Sequence, residues 1–246
     1  MQHFFVDFIK NEIYNVYRIP ADILSAQGER MKKTIVFGWL RIVFGLLIFS
    51  FGVHLTIKAD LGLAPWDCLG MGIANHTPLN YGLAMTMIAL ILLGIDLLLK
   101  EKIGFGTILD ALLTGNFIQL FNDIDTLPIP NNTFLRILII LLGLAVMAIG
   151  QYFYMKSAQC CGPRDALLVG VGKRMKKVPI GFVQLLILAL VLLGGWLLGG
   201  KIGIGTVVCA FGTGLVMQLV YKIIGFEPRQ VEHKSVIETI RALKLP

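Results

Sequence analysis

Lys102-Ile103-Gly104-Phe105-Gly106-Thr107 recurs as Lys201-Ile202-Gly203-Ile204-Gly205-Thr206, and Ala64-Pro65-Trp66-Asp67 recurs as Gly162-Pro163-Arg164-Asp165. Both pairs are displaced by about one hundred residues, so one unit is written twice along the chain. The match keeps its order outside the motifs: Gly52 aligns with Gly150, Lys58 with Lys156, Gly82 with Gly181, Thr114 with Thr213, Gly115 with Gly214 and Gln119 with Gln218. Membrane proteins assembled from paired repeats place a pathway or binding site between the halves, often where helices are broken.

Hydrophobic residues make up 56% of the chain, and the mean hydropathy is +0.78. Backbone in lipid must bond to itself, so the long apolar runs predict an α-helical bundle and exclude a soluble core. The net charge is +7, but the basic residues gather near the chain ends and in Lys173-Arg174-Met175-Lys176-Lys177, beside apolar runs. That placement fits orientation in a membrane and a lipid surface, not a nucleic-acid partner. The first 34 residues carry Lys10, Arg18, Arg30, Lys32 and Lys33 without an early apolar core and cleavage site, so they do not read as a signal peptide. Cys68, Cys160, Cys161 and Cys209 lack metal-ligand spacing, and the vicinal pair is a poor candidate for a structural disulfide. No cofactor is implied: Gly104-Phe105-Gly106 follows no strand and precedes no phosphate-binding lysine.

Six apolar spans are expected, at about 35–57, 80–99, 103–121, 133–155, 179–199 and 203–224. Within each half a shorter segment, about 63–75 and about 163–172, opens with proline and carries an aspartate. Ten to thirteen helical residues reach only about 15 to 20 Å, short of a hydrocarbon core of about 30 Å, so these segments predict broken or re-entrant helices.

Charge placement bears on the crossing number. With six crossings, Arg30, Lys32, Lys33, Lys100, Lys102, Lys156, Arg164, the 173–177 cluster and the tail share the cytoplasmic side, and only Lys58 and Lys201 clearly oppose the rule. With eight, the acidic Asn122-Asp123-Ile124-Asp125 loop moves inside and several of those bases move out. Six is preferred, and an odd number of crossings per half inverts the second repeat relative to the first. The expected fold class is therefore all-α: a polytopic membrane bundle of two repeats, each with three spans and a short helix, or eight crossings if the short helices span. Residues 1–34 are expected as a cytoplasmic or interfacial segment, 35–125 and 133–225 as the repeats, and 226–246 as a cytoplasmic tail. Phe4, Phe5, Phe8, Ile9, Ile13 and Tyr14 alternate with charges at the spacing of an interfacial helix.

The stretch Gly62-Leu63-Ala64-Pro65-Trp66-Asp67, followed by a span and then Ile103-Gly104-Phe105-Gly106-Thr107, resembles the YczE/YyaS/YitT family of bacterial integral membrane proteins, most closely its YczE branch. The likeness covers roughly residues 35–225, and the second copy departs from it with Arg164 where the first has Trp66. The resemblance implies a bacterial inner-membrane location and supplies no catalytic residues.

Two groups of residues are candidates for a site. At the openings of the short helices, Pro65, Trp66, Asp67, Arg164 and Asp165 form one group. A carboxylate in a first helical turn meets the positive end of the dipole, so Asp67 and Asp165 read either as structural caps or as direct contacts for a substrate or ion. In the third span of each half, Thr107, Asp110 and Thr114 share a helical face, and Thr206, Cys209 and Thr213 share the corresponding one. Asp110 lies about 10 Å along its span, deep enough that it must pair, protonate or face water. A basic partner such as Arg41 would make it structural; water would make it functional. Gln119 and Gln218, with Asn116 and Gln151, either join helices or line a path. The glycines of the third spans, among them Gly115 and Gly214, are read as close-packing positions. His54 is read as interfacial, since no second ligand is spaced with it as a metal site requires.

No serine-histidine-acid set, metal cluster or pair of catalytic carboxylates is present, so an enzyme is not expected. The expected function is secondary transport of a small molecule or ion between the repeats. The competing reading is a non-transporting accessory or scaffold protein, and self-association or a membrane partner is compatible with either.

Overall fold

The computed structural model describes residues 21–125, 128–158, 162–175 and 177–227, with Ser235, Val236 and Glu238; side chains are described from Val36 onward. Contacts divide the chain into Gly38–Val236, which carries the features below, and a second unit of Met1–Phe37 with Ile237–Pro246. The expected interfacial residues 4–14, Cys160, Cys161 and most of the expected tail lie outside the described residues.

Among the described residues the chain is all-helical. The eight helices are α1 (Ala21–Lys58), α2 (Pro65–His76), α3 (Tyr81–Leu98), α4 (Phe105–Ile124), α5 (Thr133–Met155), α6 (Pro163–Arg174), α7 (Ile180–Leu197) and α8 (Ile204–Ile224). Local chemistry sets several ends. Asn80 and Asn132 side chains accept from Leu83 N and Phe134 N, each at 2.8 Å, and prolines open both short helices, where a missing N–H costs nothing. The Oγ1 atoms of Thr107 and Thr206 accept from Gly104 N and Gly203 N at 3.2 Å, holding the turns that begin α4 and α8.

Five helical stretches are long and apolar enough to cross a membrane: Val36–Lys58, Tyr81–Leu98, Thr133–Met155, Ile180–Leu197 and Ile204–Ile224. The sixth expected span is present as the 20-residue α4 but is not among them. Its length, about 30 Å, would suffice; Asp110, Thr114, Asn116, Gln119, Asn122 and Asp123 lower its apolarity. The two short helices have 12 residues each, too few for a full crossing at about 1.5 Å per residue.

Close packing is built on glycine, as helix association in lipid requires. Helices α1 and α5 run antiparallel at contact: a Cβ on Gly45 would meet Gly150 O at 2.8 Å, and one on Gly52 would meet Gly143 O at 2.6 Å. Each short helix packs on a third element of the opposite half, α2 on α7 and α6 on α3. Gly72 lies against Leu198, and Gly170 against Leu99. The turn before α2 is joined to the turn before α8 by Leu63 N to Lys201 O, 3.0 Å, and Gly205 N to Leu61 O, 2.8 Å. Gly62, at φ 114°, makes this joint possible, because a side chain there would strain the backbone and strike Gly203. Apolar clusters fill the spaces between α1, α3 and α4 around Val53, Met85 and Ile118, and between α5 and α8 around Ile140, Leu144 and Cys209.

The two lysines that run against the positive-inside pattern are both ion-paired, Lys58 with Asp125 and Lys201 with Asp60, so they carry little uncompensated charge. His54 is packed inside the protein at the end of α1. It is 3% exposed, and its Nδ1 lies 2.6 Å from Asn122 Oδ1, because the Asp125 and Lys58 pair closes over that end of α1.

Candidate functional site

A cavity of about 1010 Å³ occupies the middle of the bundle, and all eight described helices contribute to its wall. The short-helix openings bring positional counterparts together there: Pro65 and Pro163, Trp66 and Arg164, Asp67 and Asp165 all line it. The Arg164 guanidinium lies over the Trp66 ring, 5.2 Å from its centroid, so the residues that differ between the two copies are in direct contact.

Three carboxylates surround that pair. Asp67 is 4% exposed and accepts a hydrogen bond from Tyr81 Oη at 3.0 Å. Its position in the first turn of α2 suits the helix dipole, but its side-chain hydrogen bond goes to Tyr81 of α3 and no side-chain bond caps the helix start. Asp110, on α4, accepts a hydrogen bond from Thr114 Oγ1 one turn later. A Cβ on Gly162 would stand 2.9 Å from Asp110 Oδ2 and 3.7 Å from Asp165 Oδ2, so both carboxylates reach the start of α6. Arg164 interacts by charge with all three aspartates, and Asp110 and Asp165 act on each other. The arrangement can hold a charged or hydrogen-bonding ligand.

Of the residues expected from sequence, Pro65, Trp66, Asp67, Asp110, Thr114, Arg164, Asp165, Thr213 and Gln218 line the cavity. Thr107 and Thr206 stand outside its wall, buried and holding helix starts. Gln119 is also outside; it accepts from Gly82 N and donates to Asp123 Oδ1. Gln151 lines the cavity, whereas Asn116 is exposed and bonded to Leu112 O.

Sequence reading missed three contributors. Tyr154 and Tyr221 join the wall from α5 and α8, and Gln184 adds an amide from α7. Asp96, outside the cavity, is fully buried near the end of α3, and neither of its carboxylate oxygens has a hydrogen-bond partner among the described residues. Its signal was the acid itself within an apolar run, Ile95-Asp96-Leu97, obscured because the second copy has Gly195 at that place.

The wall is unequal on its two sides. In α3 and α4, a Cβ on Gly82 would meet Gly115 O at 2.7 Å and one on Gly115 would meet Gly82 O at 2.5 Å, so the helices touch. Their counterparts Gly181 and Gly214, on α7 and α8, have no atom within 4 Å of the same position. Gly214 was expected to pack; instead the seam it borders is open. Gly181, Gln184, Leu185, Phe211, Gly214 and Gln218 all line the cavity and are exposed as well.

Residues 36–222 match the model of the Family of unknown function (DUF6198). The chain belongs to that family. Similar proteins include an "Uncharacterized protein" of Haemophilus influenzae, 32% identical over 187 residues, which covers 76% of this chain and 84% of the relative. The "Uncharacterized membrane protein YczE" of Bacillus subtilis is 30% identical, covering 76% of this chain and 87% of its own. The "Uncharacterized protein YyaS" of the same organism is 31% identical, covering 73% and 90%. No solved structure matches. The DUF6198 match spans α2 to α7 entirely and nearly all of α8, so the cavity belongs to the family region. With five helical stretches long and apolar enough to cross a bilayer, this member is a multi-pass membrane protein.

Proposed function

We propose that this protein is a secondary transporter of a small molecule or ion across the bacterial inner membrane, built from two inverted repeats, with its substrate site in the central cavity. The observation that carries the reading is the meeting of positional counterparts around one cavity, with Trp66 against Arg164 and both Asp67 and Asp165 on its wall. A site on the axis relating two repeats can be presented to either side of a membrane by rocking one half against the other.

The packing supports inversion. Gly52 and Gly150 are counterparts at a 98-residue displacement, and Gly45 and Gly143 stand at the same one. Gly45 touches Gly150 while Gly52 touches Gly143, the reciprocal contact that a two-fold relation between antiparallel helices generates. The exchanged contacts Gly72 to Leu198 and Gly170 to Leu99 follow the same relation. On this reading both termini are cytoplasmic, and the loop at Asn131 is outside. No covalent chemistry is assigned to the cavity.

The test uses a cysteine-free variant carrying Thr213→Cys in the cavity, with Asn131→Cys as a separate side marker. A membrane-impermeant maleimide is applied to right-side-out and to inside-out vesicles. The expected result is labelling of Asn131→Cys from the outside only and of Thr213→Cys from both sides. Labelling of Thr213→Cys from one side alone would sink the transport reading in favour of an accessory or scaffold protein.

A further inference from the structure

We propose that the cavity takes an amphipathic organic cation, one that enters from the bilayer between α7 and α8. The proposal rests on the cavity being the substrate site and adds the chemical class of the occupant.

Size speaks first. At about 1010 Å³ the cavity stands at the upper end of the range for pockets that enclose drug-sized molecules, and it far exceeds what a dehydrated ion needs. Charge speaks second. Asp67, Asp110 and Asp165 face one interior cation, Arg164, while Lys222 and Glu227, of opposite sign, add nothing net to the lining. An anion would face this excess of carboxylates in a poorly screened interior; a cation would gain a partner there.

The third observation is independent of the acids. Arg164 lies on the face of Trp66, so the site already holds a delocalised cation against an aromatic ring. An entering organic cation can take the same face, with Arg164 moving aside, and tyrosines 154 and 221 supply further aromatic surface. The route is the fourth. Leu185 and Phe211 line the cavity while 56% and 67% exposed, so the apolar outer surface of α7 and α8 reaches the cavity wall at these residues, beside Gln184 and Gln218. A molecule with an apolar body can follow that surface; a small hydrophilic ion gains nothing from it.

Tetraphenylphosphonium and tetraphenylborate share a shape and differ in sign, which makes them the probes. Binding to the purified full-length protein is measured by equilibrium dialysis against protein-free micelles. Saturable binding of the phosphonium is expected, with the borate at least about tenfold weaker. Asp165→Asn should weaken the phosphonium about tenfold, and Arg164→Gln should tighten it by a similar factor, because the resident cation leaves both the ring and the carboxylates. Tighter binding cannot come from a misfolded variant. No saturable phosphonium binding, equal or tighter borate binding, or weaker phosphonium binding in Arg164→Gln would each overturn the proposal. Phosphonium bound with this preference while Thr213→Cys is labelled from one side alone would end the transport reading and leave the ligand class intact. Two-sided labelling of Thr213→Cys without cation preference would do the reverse.

Discussion

The seam between α3 and α4 is shut and the seam between α7 and α8 is open, although the same glycines border both. Gly82 and Gly115 lie in backbone contact, while Gly181 and Gly214, their counterparts, have no neighbour within 4 Å. The neighbouring residues follow suit: Met85 is 3% exposed in an apolar cluster, whereas Gln184, its counterpart, is exposed on the cavity wall. Burial separates the same helices, 44% of the apolar stretch of α3 against 11% of those of α7 and α8. Small residues alone do not close a helix pair. They allow closure, and the surrounding contacts decide whether it happens. Glycines at matching positions thus border one closed and one open helix pair.

The largest effect is all-or-none. In a cysteine-free background, Gly181→Cys with Gly214→Cys should form a disulfide on oxidation in native membranes, which needs the Cα atoms to approach within about 4.4 to 6.8 Å. The bond would show that the open seam visits a closed state. If both thiols remain reactive to maleimide after oxidation, the seam is fixed open and the comparison describes two permanent structures.

Next comes Gly115→Ala. Its new methyl would lie 2.5 Å from Gly82 O, an overpacking expected to cost about 1 to 3 kcal/mol and to lower the thermal midpoint in detergent. A midpoint unchanged from the parent would mean that α3 and α4 are not held together at that contact.

A third effect sits at the ends of α1 and α5. Lys58 pairs with Asp125, whose side chain is 6% exposed, while Lys156, the counterpart of Lys58, is exposed and bonded to Tyr152 Oη at 2.7 Å. Asp125→Asn leaves Lys58 and His54 without their acid and should cost about 2 kcal/mol, less than a deeply buried pair because Lys58 is partly exposed. Tyr152→Phe should cost at most about 0.5 kcal/mol. Chemical denaturation of the two variants side by side checks the difference, and equal losses would remove it.

The helix starts were legible because the recurring motifs carry proline and aspartate at positions the fold uses: Pro65 and Pro163 start helices, and Asp67 and Asp165 line the cavity. The contact of Trp66 with Arg164 was not legible, since no spacing along the chain tells that residues about one hundred positions apart meet. Thr107 and Thr206 read as cavity residues because they share a helical face with Asp110 and Cys209, yet each lies in the first turn, where a free backbone N–H claims the hydroxyl. The state of each seam was hidden for a different reason. Gly115 and Gly214 occupy equivalent places in the sequence, and a glycine records only that a helix can approach, not that it does.

Gly214→Ala gives the smallest change and the sharpest one, because its two consequences have opposite signs. With nothing within 4 Å, the methyl enters open space, and alanine exceeds glycine in helix propensity by about 0.8 to 1 kcal/mol, so the thermal midpoint should rise slightly. Closure would bring that methyl toward Gly181 as Gly115 approaches Gly82, where 2.5 Å leaves no room for it. The variant should therefore be more stable than the parent and held open, with Thr213→Cys in the same chain labelled from one side only. A raised midpoint with labelling from both sides would show that alternation does not require the α7 and α8 glycines to meet.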